Sequence, residues 1–238
     1  MYSKTIVVSN NDVDKHFKLK ISAIFRYFQD VALRATKEIG LDAMTLSKQN
    51  IDWVITRMAV EITRLPMCEE EIVAYSYPGK DMAMLFPRYF YITDKEGNVI
   101  IRCSSVWALI NNVTRKVIVD RNAISKLPGE DREDQMTLPE KVVFPENSRF
   151  LEKRVIHYSD LDFNSHMNNV RYVELLMDSH DSAFYENHRL QKLTLNYMKE
   201  IKEKEAVEIY TDASNPETIS VKVDGNLAFL GKATFISE

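Results

Sequence analysis

The sequence predicts an α+β chain that builds one architecture twice, a long amphipathic helix followed by antiparallel hairpins, then the same order again. Three observations predict it. A helical stripe stands between residues 21 and 39, and a second begins at Val170. Strand-like alternation follows each stripe, with matching turns at Gly97-Asn98 and Gly225-Asn226. Short matches link the halves, Arg26-Tyr27 with Arg171-Tyr172 and Glu71-Ile72-Val73 with Glu205-Ala206-Val207. The offset between the matches shrinks along the chain, which is what a shortened tandem copy leaves.

The first helix rests on Ile21, Ile24, Phe25, Phe28, Val31, Ala32, Ala35 and Ile39, which share one helical face. Ser22 or the residues just before it should cap it, and Gly40 should stop it. A strand over 53–62 would place Val54, Thr56, Met58, Val60 and Ile62 on one face. Further strands fall at 72–77, 88–93 and 99–111, the last two joined across the turn at 94–98. Residues 122–147 turn polar and carry Pro128, Gly129, Pro139 and Pro145, which reads as a linker. Val170, Val173, Leu176, Met177, Ala183 and Phe184 mark the second helix, and strands follow at 190–199, 206–211, 218–223 and 227–236. The expected organisation is a first repeat over 1–121, a linker over 122–147 and a second repeat over 148–238. A helix this apolar must be wrapped, and a curved antiparallel sheet wraps it. One helix rolled in one sheet is the hot-dog fold, and two copies make a double hot-dog.

Composition narrows the function. Of 238 residues, 45% are hydrophobic and 28% charged, which is ample for a core and excludes a disordered chain. A net charge of −4 disfavours a nucleic-acid binder. No apolar run approaches the roughly 18 residues of a membrane span, and the opening MYSKTIVVSNND lacks the layout of a signal peptide. Cys68 and Cys103 form neither a disulfide framework nor a metal spacing. Six glycines make no phosphate-binding loop. The expectation is a cytoplasmic protein without metal or cofactor.

The chemistry concentrates before the second helix. Asp162, Asn164, His166, Asn168 and Asn169 crowd into eight residues. Asp162, Asn164 and His166 alternate, so an extended stretch aims them to one side, where they could activate water and orient a carbonyl. Asp and Asn are also helix caps and turn formers, and Asn168 and Asn169 are read that way, as supporting residues. At an offset of 145, the offset of the Arg-Tyr match, the first repeat carries Phe17, Leu19 and Ile21 at the three sites. One repeat then looks equipped and the other blank, which predicts one active site per chain.

The segment from Ser159 to Tyr172 resembles the acyl-acyl-carrier-protein (acyl-ACP) thioesterases. The same family is matched in order by Trp53-Val54-Ile55-Thr56-Arg57-Met58, by Ser104 to Asn111 with Thr114-Arg115, and by Ser125-Lys126-Leu127-Pro128. The resemblance implies the double hot-dog fold and hydrolysis of a fatty acyl-ACP thioester to free acid and holo-ACP. It also implies four catalytic groups: Asp162, Asn164, His166 and Glu200. Plant members carry a Cys directly after that Glu. This chain has Ile201 there, which excludes a Cys–His–Asn mechanism at that position. Chemistry on carboxylates remains: Asp162 or Glu200 activates water, with His166 placing it or protonating the thiolate, or a carboxylate attacks directly. Backbone N–H groups near the helix start would make the oxyanion hole.

The blank repeat is the expected place for the acyl chain, with Trp53, Met58, Met82, Met84 and Phe86 as candidate lining. The expected partner is acyl carrier protein, met by a monomer or homodimer, with Arg149, Lys153 and Arg154 as the basic residues near the motif, and neither nucleic acid nor membrane is expected. The alternatives are an acyl-CoA thioesterase and a non-catalytic acyl-thioester binding module. A hot-dog hydratase is disfavoured, because that motif places Pro after the Asn and its His one residue later than His166.

Overall fold

The computed structural model describes residues 1–80, 82–119, 127, 129–144, 146–213 and 217–237. The chain divides into two units, Met1–Pro139 and Glu140–Glu238. The first runs β1 (Tyr2–Val7), α1 (Ile21–Glu38), α2 (Ala43–Ser47), β2 (Ile51–Ile62), β3 (Glu71–Pro78), β4 (Phe86–Asp94) and β5 (Val99–Asn111). The second runs β6 (Ser148–Val155), α3 (Asn169–Met177), β7 (His188–Tyr197), β8 (Ala206–Asp212), β9 (Thr218–Val223) and β10 (Asn226–Ser237). Strand order is β1-β3-β4-β5-β2 in the first unit and β6-β8-β9-β10-β7 in the second. The two orders are the same order, and all these pairings are antiparallel. The repeat is therefore one of topology, strand for strand.

α1 is the hot-dog helix of the first unit. Ile21, Ile24, Phe25, Phe28, Val31 and Ala32 are buried along one side, and Phe28 meets Phe90 of β4 with ring centroids 4.9 Å apart. Asp30 and Arg34 pair across one turn on the other side at 2.9 Å. The helix stops where Gly40 takes φ +71°, a conformation glycine adopts without strain. Ser22 does not cap it. The N-cap is Lys20, which makes no side-chain cap bond, and Ser22 lies buried within the first turn.

Five elements depart from the sequence reading. In β2 the register against β5 shifts between Ile55 and Arg57, with Thr56 as the extra residue. Met58, Val60 and Ile62 consequently share a face with Trp53 and Ile55, not with Val54. α3 ends at Met177, short of the expected Phe184. Asp178, Ser179, Asp181 and Ser182 compete for backbone hydrogen bonds; Ser179 Oγ donates to the Leu176 carbonyl at 2.6 Å, and Tyr185 Oη to the Met177 carbonyl at 2.6 Å. Strands β1 and β6 and the short α2 carry weak apolar signals. β6 is an exposed, charged strand at the sheet's edge, a composition that blocks stray pairing.

The connecting stretch is pinned where it is described. Ser104 Oγ donates to the Thr137 carbonyl at 2.7 Å and Arg57 to the Pro139 carbonyl at 3.0 Å. The Asn196 side chain bonds Val142 N–H at 2.8 Å and the Glu140 carbonyl at 3.1 Å. Residues 122–126, 128 and 145 of the expected linker, including Ser125, Lys126 and Pro128, lie outside the described residues. Among the described residues, no helix is long and apolar enough to cross a membrane.

Candidate active site

Two loops meet in the second unit. The first runs from the short 3-10 turn Tyr158–Asp160 to α3, and Asp162 shapes it. Asp162 Oδ1 accepts the backbone N–H of Asn164 at 2.9 Å and that of His166 at 3.3 Å. Ser165 takes φ +62° between them, and the Asp162 N–H returns to the His166 carbonyl at 2.8 Å. This is an Asp-formed turn. Asn168 caps α3 by accepting the Val170 N–H at 3.0 Å. Asn168→Ala should lower unfolding free energy by about 1 kcal/mol, read from urea melts. Asn169 opens the helix, and its carbonyl accepts Tyr197 Oη–H at 3.3 Å.

The second loop follows β7. The Met167 N–H donates to the Ile201 carbonyl at 2.7 Å, and His166 bridges Lys202, so the loops lie side by side. His166 Nε2 then stands 3.4 Å from Glu200 Oε2, with the two side chains 19% and 36% exposed. Ile201, where the plant pattern has Cys, is fully buried. Tyr172 is buried nearby. Burial pushes its hydroxyl above the ordinary phenol range, and the charges of Glu200, Asp162 and Glu205 push the same way. It stays a neutral phenol beside these carboxylates. Asn164 is exposed. The N–H groups of His166, Met167, Asn168, Val170 and Arg171 all donate within the protein, so these five are committed rather than aimed at a substrate oxygen.

The first unit repeats this construction at an offset of 148, not 145. Lys18 bridges Met67 as His166 bridges Lys202. Phe17 at φ +60° stands for Ser165 at φ +62°, and Glu69 at +65° for Lys204 at +68°. Asp14 stands for Asp162, and its Oδ1 accepts the N–H of His16 at 2.8 Å and of Lys18 at 3.1 Å. The counterparts of Asp162, Asn164 and His166 are therefore Asp14, His16 and Lys18, not Phe17, Leu19 and Ile21. The Arg-Tyr match misleads because it lies one helical turn out of register. By the offset of the Met67–Lys202 pair, 135, Leu65 stands in the place of Glu200. The first unit keeps the turn-forming Asp and carries Lys18 and Leu65 where the second carries His166 and Glu200.

Trp53, Met58 and Phe86 come together on the face of the first sheet that packs on α1. Met58 and Phe86 are each 4% exposed, and the Trp53 and Phe86 rings meet edge to face at 5.3 Å. Met82 and Met84 do not join them. They sit in the tight turn before β4, 51% and 44% exposed. The sequence reading passed over Arg88, a buried guanidinium on that same face. Its signal was a charge at even spacing with Phe86, Phe90 and Ile92. Both cysteines are free thiols. Cys68 Sγ donates to Asn10 Oδ1 at 2.7 Å, and burial pushes the Cys103 thiol well up. Among the described residues, no group of three or more His, Cys, Asp or Glu could hold a metal. Lys153 pairs with Glu208 at 3.7 Å and Arg154 with Asp160 at 3.2 Å.

Comparison with known proteins gives concordant matches. The acyl-ACP thioesterase N-terminal domain matches residues 1–124, and the C-terminal domain of the same family matches 145–228. A chloroplastic acyl-[acyl-carrier-protein] hydrolase of Cuphea viscosissima is 27% identical over 80% of this chain. The chain spans 50% of that relative's length. The crystal structure of an acyl-ACP thioesterase from Bacteroides thetaiotaomicron superposes with a TM-score of 0.89 at 23% identity, covering 98% of this chain and 97% of that one. The 12:0-ACP thioesterase of Umbellularia californica superposes at 0.84 with 20% identity, covering 100% of this chain and 97% of that one. These superpositions establish the fold.

Proposed function

The chain belongs to the acyl-ACP thioesterase family, and from that premise we propose that it hydrolyses a fatty acyl-ACP to free fatty acid and holo-ACP, with His166 and Glu200 as the acting pair. The observation that carries this reading is the 3.4 Å approach of His166 Nε2 to Glu200 Oε2 in a half-buried cleft between two loops. A carboxylate beside an imidazole can take a proton from water as the water oxygen attacks the thioester carbon, and the imidazole can return one to the departing thiolate. One C–O bond forms, one C–S bond breaks, the proton taken from water passes through the imidazole to sulfur, and the other water hydrogen stays with the acid. No redox step or cofactor enters.

Glu200 is favoured over Asp162 as the base because Glu200 meets the imidazole, whereas Asp162 Oδ1 accepts two backbone N–H groups of its own loop. The same two bonds recur at Asp14, in a loop that carries Lys18 where the second unit carries His166. Asp162 is thus a positioning residue that fixes the His166 backbone. Asn164, exposed at the loop tip, is assigned to substrate contact, and Asn168 and Asn169 to support of the helix start. Trp53, Met58 and Phe86 are proposed to line the acyl chain's site; Met82 and Met84 are left out by their exposure. Acyl carrier protein is the proposed partner and the cytoplasm the proposed location. Mixing the chain with acyl-ACP should yield free acid and free thiol one for one. A folded chain that releases neither would overturn the reading and favour a binding module.

A further inference from the structure

Among the described residues, the inner face of the first sheet keeps side-chain N–H groups that no acceptor receives. Arg88 is 7% exposed on β4, two residues after Phe86 and on the same face. Its guanidinium makes one side-chain hydrogen bond, Nη1 to Ser76 Oγ at 2.8 Å, and pairs with no carboxylate among the described residues. Burial pulls it down to about 10, so it stays cationic at neutral pH. Trp53 approaches the other side of Phe86, and its indole N–H is buried without an acceptor. The neighbouring polar groups are matched. Trp107 Nε1 donates to Ser105 Oγ at 2.8 Å, and Ser105 Oγ donates to the Arg88 carbonyl at 2.8 Å. Among the described residues of this face, N–H donors are what is left over, one of them charged. A buried cation without a counter-ion is costly, and proteins seldom keep one that an apolar residue of similar volume could replace.

We propose that this face receives an aliphatic chain carrying an oxygen acceptor, a hydroxyl or oxo group, which takes a hydrogen bond from Arg88 or from Trp53 according to its place along the chain. A plain hydrocarbon would leave the Trp53 indole N–H and the remaining Arg88 N–H groups unmet, whereas an oxygen lone pair on the chain accepts from one of them. Resting on the thioesterase reading, the inference makes the favoured substrate an oxygenated acyl-ACP, with Arg88 and Trp53 as specificity residues.

The test compares matched acyl-ACPs of equal length, plain or with a hydroxyl or oxo group moved stepwise along the chain. The best oxygenated chain should exceed its plain counterpart at least about 10-fold in kcat/KM, since sites built to bond a polar group reject analogues lacking it. Arg88→Met should bring that ratio close to one, and Trp53→Phe, which removes the indole N–H from a ring of the same kind, should lower it if Arg88→Met fails to fold. Equal hydrolysis of plain and oxygenated chains by the unaltered protein overturns the inference and leaves the thioesterase reading standing. If no acyl-ACP is hydrolysed, that reading falls, and binding decides the inference alone. Methyl esters with and without the hydroxyl, followed by tryptophan fluorescence, should then differ about 10-fold in Kd; equal affinities overturn it.

Discussion

Glu200→Gln should lower kcat on acyl-ACP about a hundred- to ten-thousand-fold, the range of general acid–base assistance. The substitution keeps shape and removes the proton acceptor. Because the Glu200 side chain is 36% exposed, unfolding free energy should stay within about 0.5 kcal/mol of the parent. His166→Ala should lose a similar factor. The double variant should lose little more than either single, since the two groups act as a unit and such losses do not add. Steady-state kinetics with urea melts on the same preparations checks both halves. Near-parent turnover in Glu200→Gln would transfer the base to Asp162 or to another group altogether.

The second large effect separates placement from chemistry at the repeated aspartate. Asp14→Ala and Asp162→Ala each remove the one oxygen that accepts two backbone N–H groups of the equivalent loop, so each should cost about 0.5–2 kcal/mol of stability. Only Asp162→Ala should affect turnover, by about a hundred-fold, because displacement of a positioned group by an ångström can cost that much. Asp162→Asn keeps the side-chain oxygen that accepts the two N–H groups, so it should recover most of that loss. An Asp162→Asn variant as inactive as Glu200→Gln would make Asp162 a chemical participant.

The hot-dog core was legible because it is periodic. The α1 stripe and the alternation in β4 and β5 follow from burying one face, and the structure places them within a residue or two. β6 was not legible, since an edge strand armoured with Arg149, Glu152, Lys153 and Arg154 has no apolar face to announce it. The extra residue at Thr56 reversed the face expected of Val54, because alternation cannot register a bulge. α3 was overextended because Ala183 and Phe184 keep helical spacing while Asp178 to Ser182 break the chain's path. The loop around Asp162 showed its residue types and hid its register. The repeat there is carried by turns and backbone bonds between dissimilar side chains, Asp14-His16-Lys18 against Asp162-Asn164-His166, and only coordinates align these. Glu200 was reachable only through family likeness, being one carboxylate in a charged stretch. Arg88 was visible as a charge on an apolar face, and its meaning depended on finding no partner beside it.

The most direct test of the account is thiol release by the purified chain from a panel of acyl-ACPs set beside the matching acyl-CoAs. The account predicts sustained release from acyl-ACP, with kcat/KM well above that for acyl-CoA and with free fatty acid formed in equal amount. Folded protein that releases thiol from neither would contradict it.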